Sequence, residues 1–503
     1  MSAYSAALQN VFIRVGGDVP IISLASEGLL VTRNEFLEMV QVMVSALKNS
    51  GIRSGDRIVA IERSSFEACA LFWACVCTNC LFCPMDPEEA EQPQLRKLKL
   101  VEPKLVFAPA SVVQRISVTG YSVISWESPA ADTVQSFEDW LEGADSGAEM
   151  DPGSPDLPAA ILFTSSSTGE AKGVVHRNGS LAYSGQLVCE HFQWKAGRRF
   201  FNLAGHHTMS GLRNSYIAPF AGSVVTVFAS DLDYSNVFEI LEFIGKHKIN
   251  YLGVGPIFLK QMLMFQDRID ESCYASLEQI ICTGAPVSQD DLDAFERRFG
   301  VQVLNYYGLT ETCGLCVGHT PDTAPLAAGS VGIAVGATLH VLDDGGTPVD
   351  DGCPGELVVG SPCLMEAYYD NPSETARMLR EGRLYTGDIV IRRPDGHILL
   401  KGRKRNIIKT ADTEVVYIEE VESCILAHPG VADAAIEAYI SSMGDERMKT
   451  YIVPKTTVEE SIFRRELKAY LTNKLGSRKI PSEFVFREKI PRSAMGKLLR
   501  RNL

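Results

Sequence analysis

Between Val224 and Tyr306 the chain reads Val224-Val-Thr-Val-Phe-Ala229, then Val237, Ile240, Leu241 and Ile244, then Leu277-Glu-Gln-Ile-Ile-Cys282, then Ser288 with Asp291, then Val301-Gln-Val-Leu-Asn-Tyr306. The first, third and last pieces are apolar runs of strand length. The second repeats at i, i+3, i+4 and i+7, the buried stripe of a helix. Ser288 with an acid three residues on marks the capped start of another helix, running to Arg298. Strands and helices alternating in this way imply a mainly parallel sheet covered by helices, an α/β fold.

Outward from this stretch the punctuation changes. Asp151–Pro158, rich in Pro, Gly and Asp, leads directly into a strand at Ala159–Phe163. Asp343–Gly355 has the Gly/Asp/Pro content of hairpins, and the chain turns basic at Lys401–Arg405. Beyond lies a separate α/β pattern: a helix near Glu419–Ala427, strands near Val431–Ile440 and Lys449–Val453, and a helix near Ser461–Leu475. The reading is a large N-terminal domain, 1–401, with helix-covered and mainly parallel sheets, followed by a small C-terminal α/β domain, 402–503.

The 503 residues are 46% hydrophobic and 22% charged, the composition of a globular protein of more than one domain. A net charge of −14 argues against nucleic acid or an anionic membrane as main partner. A site for a polyanion is then built locally, from backbone N–H groups and a few Lys or Arg. Met1–Gly16 lacks the basic start and apolar block of a signal peptide. Ala68–Pro84, broken by Thr78 and Asn79, reads as a buried helix rather than a membrane span. The final Arg-Asn-Leu matches a peroxisomal address poorly, and the expected location is cytoplasmic. Of 13 cysteines, Cys77, Cys80 and Cys83 mimic part of an iron–sulfur run, but Pro87 stands where a fourth is needed. Buried thiols on a core helix, with Cys69 and Cys75, are the plainer reading.

Chemistry first shows in Phe163-Thr-Ser-Ser-Ser-Thr-Gly-Glu-Ala-Lys-Gly-Val174. A strand ends in a hydroxyl-rich turn followed by Gly169, Lys172 and Gly173. Small residues admit phosphates close to the backbone, hydroxyls donate to their oxygens, and Lys172 adds charge. The P-loop pattern is absent, and alone the segment serves equally as a solvated Ser/Thr loop. Further along come Asn305-Tyr-Tyr-Gly-Leu-Thr-Glu-Thr312, Tyr385-Thr-Gly-Asp388, Gly402-Arg403 and Pro491-Arg-Ser-Ala-Met-Gly-Lys497.

With these five motifs in order, the chain resembles, over essentially its whole length, the adenylate-forming superfamily of acyl-CoA synthetases, peptide-synthetase adenylation domains and firefly luciferase. The resemblance implies an ATP site. Thr164, Ser165, Ser167, Thr168, Gly169 and Lys172 match the loop that handles the β- and γ-phosphates. Gly284, Ala285 and Pro286 match the turn lying against adenine, and Tyr307, with Tyr306 and Gly308 around it, matches the aromatic beside it. Thr310 matches the α-phosphate contact, Glu311 the residue holding Mg²⁺, Asp388 the ribose ligand, with Arg403 nearby. Lys497 matches the lysine bridging the substrate carboxylate and α-phosphate, where a cation offsets the repulsion of two anions. Arg405 takes the hinge position about which the small domain turns, and Lys409 the face then presented.

His206 and His207 stand where acyl- and aryl-activating relatives carry a His beside the carboxylate pocket, and His207 is the one taken as catalytic. No Asp lies between Phe201 and Ser230 to hold an α-ammonium, which favours an acid without an α-amino group. The pocket lining is expected from His207–Tyr216, Thr283–Ala285 and Tyr306–Cys316.

The chain also departs from the family pattern. Ser166 and Ala171 replace a Gly and a Pro of the phosphate loop, and Asn406 replaces an Asp after the hinge. In Lys409-Thr-Ala-Asp-Thr-Glu-Val-Val-Tyr-Ile-Glu-Glu-Val-Glu422, Asp412 or Thr413 stands at the Gly of CoA-using relatives, and Tyr417 or Ile418 at a common Pro. The implied activity is therefore activation of a small-molecule carboxylic acid, of whatever chain length, to acyl-AMP with ATP and Mg²⁺, then transfer to a thiol, with CoA as co-substrate. A phosphopantetheinyl carrier protein is the competing acceptor, and a catalytically inactive nucleotide- or acyl-binding homologue the alternative from another class.

Overall fold

The computed structural model describes residues 18–127, 134–151, 153–164, 171–285, 287–322, 329–409, 415–441, 446–476, 479–492, 498 and 503. Its centre is the alternating stretch. Strands Gln302–Tyr307, Gln279–Cys282, Tyr251–Val254, Arg199–Asn202, Val225–Phe228 and Pro20–Leu24 lie side by side in that order, all parallel. Short antiparallel strands close both edges. The helix Val237–His247 buries Val237, Ile240, Leu241 and Ile244, the four residues of its repeat. The helix Gln289–Phe299 starts as its sequence dictates: Ser288 Oγ accepts from the backbone N–H of Asp291.

A second sheet is parallel through Pro158–Thr164, Leu81–Met85, Arg57–Ile61, Leu105–Ala108 and the short strands Val123–Ser125 and Gln135–Ser136. Strand Lys172–Arg177 pairs antiparallel with Pro158–Thr164. The main core lies between the two sheets, and strand alternation assigns side chains to it: Ile58 and Ala60 point in, whereas Val59 and Ile61 point to the far face. Helix Phe66–Cys77 runs through this core with every residue from Ala68 to Cys77 buried, as an all-apolar helix requires.

The reading of Ala68–Pro84 as one helix is corrected here. The helix stops at Cys77, because Thr78 turns its hydroxyl back on the Ala74 carbonyl (2.8 Å) and Asn79 takes a left-handed φ of 55°. Leu81–Met85 then forms a strand between two others. Cys80 precedes this strand and Cys83 lies on it, and both are buried with Cys69, Cys75 and Cys77. Burial pushes the Cys77 and Cys80 thiols up to about 12 and 11, so they stay protonated.

An antiparallel sheet follows, with Thr338–Leu342, Pro354–Gly360, Arg383–Arg392 and Ile398–Arg403 as its main strands. The expected division after residue 401 falls inside the last of these, and the turn Lys404–Asn406 comes next. Beyond it, helices Ile418–Leu426 and Glu460–Leu475 cover strands Val431–Ile440, Glu446–Pro454 and Glu483–Phe486 around a core that includes Val421, Ile436, Ile452 and Leu467. Among the described residues no helix is long and apolar enough to cross a membrane.

Candidate functional site

In open α/β sheets, ligands gather beyond the carboxyl ends of the strands, above all where strand order reverses. In the first sheet that point is Arg199–Asn202, which has the next strand in sequence, Val225–Phe228, on one side and Tyr251–Val254 on the other. The candidate residues leave these same ends: Gly205–His207 after Asn202, Thr283–Ala285 after Cys282, and Tyr307–Glu311 after Gln302–Tyr307.

The tightest cluster there is Tyr307, Asp388 and Arg403. Asp388 is 2% exposed and takes a hydrogen bond from the Tyr307 hydroxyl at 2.5 Å and an ion pair from Arg403 Nε at 2.5 Å. The backbone sets this aim. Glu356 pairs with Ile389 and Val358 with Tyr385, so Thr386–Asp388 stand opposite Leu357 alone, a bulge that Gly387 turns with a φ of 69°. Thr386 Oγ1 accepts from the Asp388 N–H and donates to the Leu357 carbonyl, fixing the loop. Burial raises the Asp388 carboxyl, with Arg403 and Tyr307 opposing. Burial works against the charge on Arg403, but Asp388, Tyr307, Glu311 and Glu419 raise its pKa overall. Burial and Asp388 likewise lift the Tyr307 phenol far above its usual range, so it remains a donor.

Glu311 sits in the short helical turn Thr310–Thr312 beyond Gly308. At Gly308 a Cβ would stand 1.2 Å from the Gly314 carbonyl oxygen, so only glycine lets the chain fold back here. Glu311 Oε1 accepts from the Tyr368 hydroxyl at 2.7 Å, while Oε2 makes no hydrogen bond among the described residues. The face of the same Tyr368 ring lies 5.3 Å from Lys172 Nζ. Lys172 is paired across the strands with Thr164 and forms an ion pair with Glu374. Arg377, followed by Lys172, draws Glu374 down to about 2. Tyr368, Glu374 and Arg377 had no motif to announce them. An aromatic pair before Asp370-Asn371-Pro372 was the one visible mark.

The two histidines part company. His206 is wholly buried, Nδ1 2.7 Å from the Tyr216 hydroxyl and its ring edge-on to Phe82. Burial, then His207, lower it to about 3, the behaviour of a packed core histidine. His207 keeps 29% of its side chain exposed, with Nε2 3.7 Å from Asp86 Oδ2. Its ring lies over Gly205, where a Cβ would come within 2.7 Å of it.

Tyr306 lies apart from the Asp388 cluster. Neighbouring residues of a strand face opposite ways, so Tyr306 enters the inter-sheet core while Tyr307 meets Asp388. Its hydroxyl is taken by Arg213 at 3.2 Å and shared with Ser210 at 3.2 Å. Thr283 Oγ1 donates to the Tyr306 carbonyl at 3.0 Å, tying the ends of two strands together, and Gly284 follows with a φ of 99°. Arg405 lies in the turn Lys404–Asn406 and Lys409 ends the strand Ile407–Lys409. Ser165, Ser167, Thr168, Gly169, Pro286 and Lys497 lie outside the described residues, as does the side chain of Lys409.

A lone carboxylate oxygen suits Mg²⁺, which typically takes one or two protein carboxylates and draws its other ligands from water and substrate phosphates. Glu311 Oε2 has that character.

Compared with known proteins, residues 15–369 match the model of the AMP-binding enzymes, and residues 420–497 that of the AMP-binding enzyme C-terminal domain. An indoleacetate–CoA ligase of Aromatoleum aromaticum is 26% identical over 92% of this chain and 90% of its own. A fatty acid–[acyl-carrier-protein] ligase of Streptomyces coeruleorubidus is 27% identical over 95% and 92%. The ATP-bound structure of MatB from Rhodopseudomonas palustris superposes with a TM-score of 0.89 at 23% identity, covering 100% of this chain and 98% of that one.

Proposed function

The chain belongs to the family of AMP-binding enzymes, and on that premise we propose that it activates a carboxylic acid as its acyl-adenylate and passes the acyl group to the thiol of CoA. The observation that carries the proposal is the buried Asp388 carboxylate, braced by Arg403 and by Tyr307, which stands four residues before Glu311. A fixed, desolvated acceptor of this kind fits the two hydroxyls of a ribose.

In the first half-reaction ATP lies with its ribose on Asp388 and its adenine against Gly284–Pro286 and the Tyr307 ring. The phosphates run toward Lys172 and the loop of Ser165, Ser167, Thr168 and Gly169. Glu311 would hold Mg²⁺, which when bound offsets phosphate charge. A carboxylate oxygen of the acid forms a bond to the α-phosphorus as the bond to pyrophosphate breaks. Thr310 orients the α-phosphate, and Lys497 bridges the two anions at the point where their repulsion peaks. His207 borders the acid. The small domain then turns about Arg405, Lys497 withdraws and the face around Lys409 enters. The thiol sulfur bonds to the acyl carbon, AMP leaves with the electron pair, and the thiol proton passes to solvent.

A carrier protein bearing phosphopantetheine is the second reading for the acceptor. The altered segment between Lys409 and Glu422 favours it, as does similarity to a carrier-protein ligase.

Pyrophosphate release with hydroxylamine trapping, across short, long and aromatic acids, tests the first half-reaction. Wild type releases it with one class of acid, and Lys497→Ala loses about 100-fold or more. A folded protein that binds ATP yet stays silent with every acid would refute the proposal. Thioester formation with CoA against a loaded carrier then decides the acceptor.

A further inference from the structure

Arg213 is wholly buried, yet no carboxylate pairs with it among the described residues. Nε donates to Asn214 Oδ1 at 2.8 Å, Nη1 to the Cys313 carbonyl at 2.7 Å and Nη2 to the Tyr306 hydroxyl at 3.2 Å. All three acceptors are neutral. A guanidinium carries five N–H donors, so two have no partner among the described residues. The thiols around it bring no compensating charge, for burial pushes Cys189, Cys316 and Cys363 up to about 12.

A cation held this way carries a large desolvation cost, and a packed core has no use for it: an apolar side chain would fill the space at less cost. The surroundings are built to keep it. Gly314 carries no Cβ, and one would stand 2.8 Å from Nη1. The turn Arg213–Ile217 is a π-helix, whose extra residue per turn is a frequent mark of functional positions. Further polar groups converge beside the guanidinium: Asn214 Nδ2 donates to Ser210 Oγ at 3.2 Å and lies 3.4 Å from the Tyr306 hydroxyl. Tyr306 in turn is tied to Thr283 and adjoins Tyr307, so the cage adjoins the ends of the strands that carry the nucleotide cluster.

We infer that the acid activated by this enzyme carries a second anionic group, a carboxylate or sulfonate, remote from the reacting carboxylate, and that Arg213 with Asn214 and Ser210 receives it. The inference rests on the adenylating function proposed above and names its substrate class. A bidentate anion satisfies the spare N–H donors and supplies the missing countercharge. A neutral chain end leaves both unmet.

The test is pyrophosphate release by the full-length enzyme with three matched sets of acids: unbranched dicarboxylic acids, their ω-sulfonate counterparts, and their monomethyl esters. Wild type is expected to prefer one of the anionic sets over the esters by about 100-fold or more in kcat/KM. Which anionic set wins identifies the group. Arg213→Gln should bring that ratio within about 3-fold of unity, whatever it does to the absolute rate, whereas a purely structural role would lower all three sets alike and leave the ratio intact. Should that variant fail to fold, the wild-type ratio still decides the substrate class, and Asn214→Ala decides the cage: it should lower the same ratio, and an unaltered ratio overturns the assignment. Esters or other neutral acids used as well as the dianions overturn this inference but leave adenylation standing. Silence with all three sets and with the wider acid panel removes both.

Discussion

Tyr307→Phe keeps the ring beside adenine and deletes one atom, the hydroxyl that donates to Asp388 at 2.5 Å. Hydrogen bonds to charged groups contribute about 1.5–3 kcal/mol. The carboxylate is 2% exposed, so water replaces the lost donor poorly. Arg403 still grips the other oxygen, and its side chain is 36% exposed, which caps its compensation. The upper part of the range does not apply, because the bond is made in the free protein too and acts on ATP through the aim of Asp388. A loss of about 1.5–2 kcal/mol, roughly 10- to 30-fold in Kd, is the expected outcome. Isothermal titration with ATP in the absence of acid reads it directly. The decisive quantity is a double-mutant cycle with Asp388→Asn: with the carboxylate gone, Tyr307→Phe should cost under about 3-fold. Additive losses, or a Tyr307→Phe protein that binds ATP like wild type, would show that Tyr307 does not act through Asp388.

Glu374→Gln should free Lys172 from its ion pair and lower the KM for MgATP by about 2- to 5-fold, the scale of a partly exposed pair; an unchanged or higher KM counts against a phosphate role for Lys172. Gly308→Ala puts a Cβ 1.2 Å from the Gly314 oxygen, and a drop of several kcal/mol in stability or loss of soluble protein should follow, measured by thermal shift. Glu62 is pushed up to about 7, first by burial and then by Glu127 and Glu67. Its folded-state pKa lies above the unfolded value, so the folded state holds the extra proton. Stability should therefore fall as pH rises from about 4.5 to 7, by about 2–4 kcal/mol from this group. Glu62→Gln should flatten that slope in urea titrations across the window, and an unaltered slope would exclude Glu62 as its source.

The alternating middle of the chain was legible because periodicity and capping are local physics. Val237, Ile240, Leu241 and Ile244 share a helix face wherever that helix packs, and Ser288 caps its helix through an N–H three residues away. The break within Ala68–Pro84 was harder to read. A buried helix and a buried central strand are both uniformly apolar, and Thr78-Asn79 reads as a helix stop only once the left-handed turn is seen. Motif matching brought Tyr307, Asp388 and Arg403 to notice; strand pairing sets Asp388 beside Arg403, and the Tyr307 hydroxyl reaches the carboxylate from another sheet. The motifs had nothing to offer on Tyr368 or Glu374, and they reached Arg213 only as one residue of the expected lining His207–Tyr216, because the significance of all three depends on groups about 60 to 200 residues away in sequence. Grouping Tyr306 with Tyr307 overlooked strand alternation.

The buried thiols give the enzyme a built-in clock. Of its 13 cysteines, Cys353 is exposed, Cys273 and Cys424 are half-buried, and the remainder are spread through several of its hydrophobic cores. A thiol reagent added to the native enzyme labels those three readily, and every later addition reports how often a particular core opens. The same hidden store sets the fate of damaged molecules. Once a core is exposed without reductant, its thiols can cross-link wrongly before the chain closes again. Shelf life is then governed by opening rates and by redox conditions, far from any residue that touches a substrate.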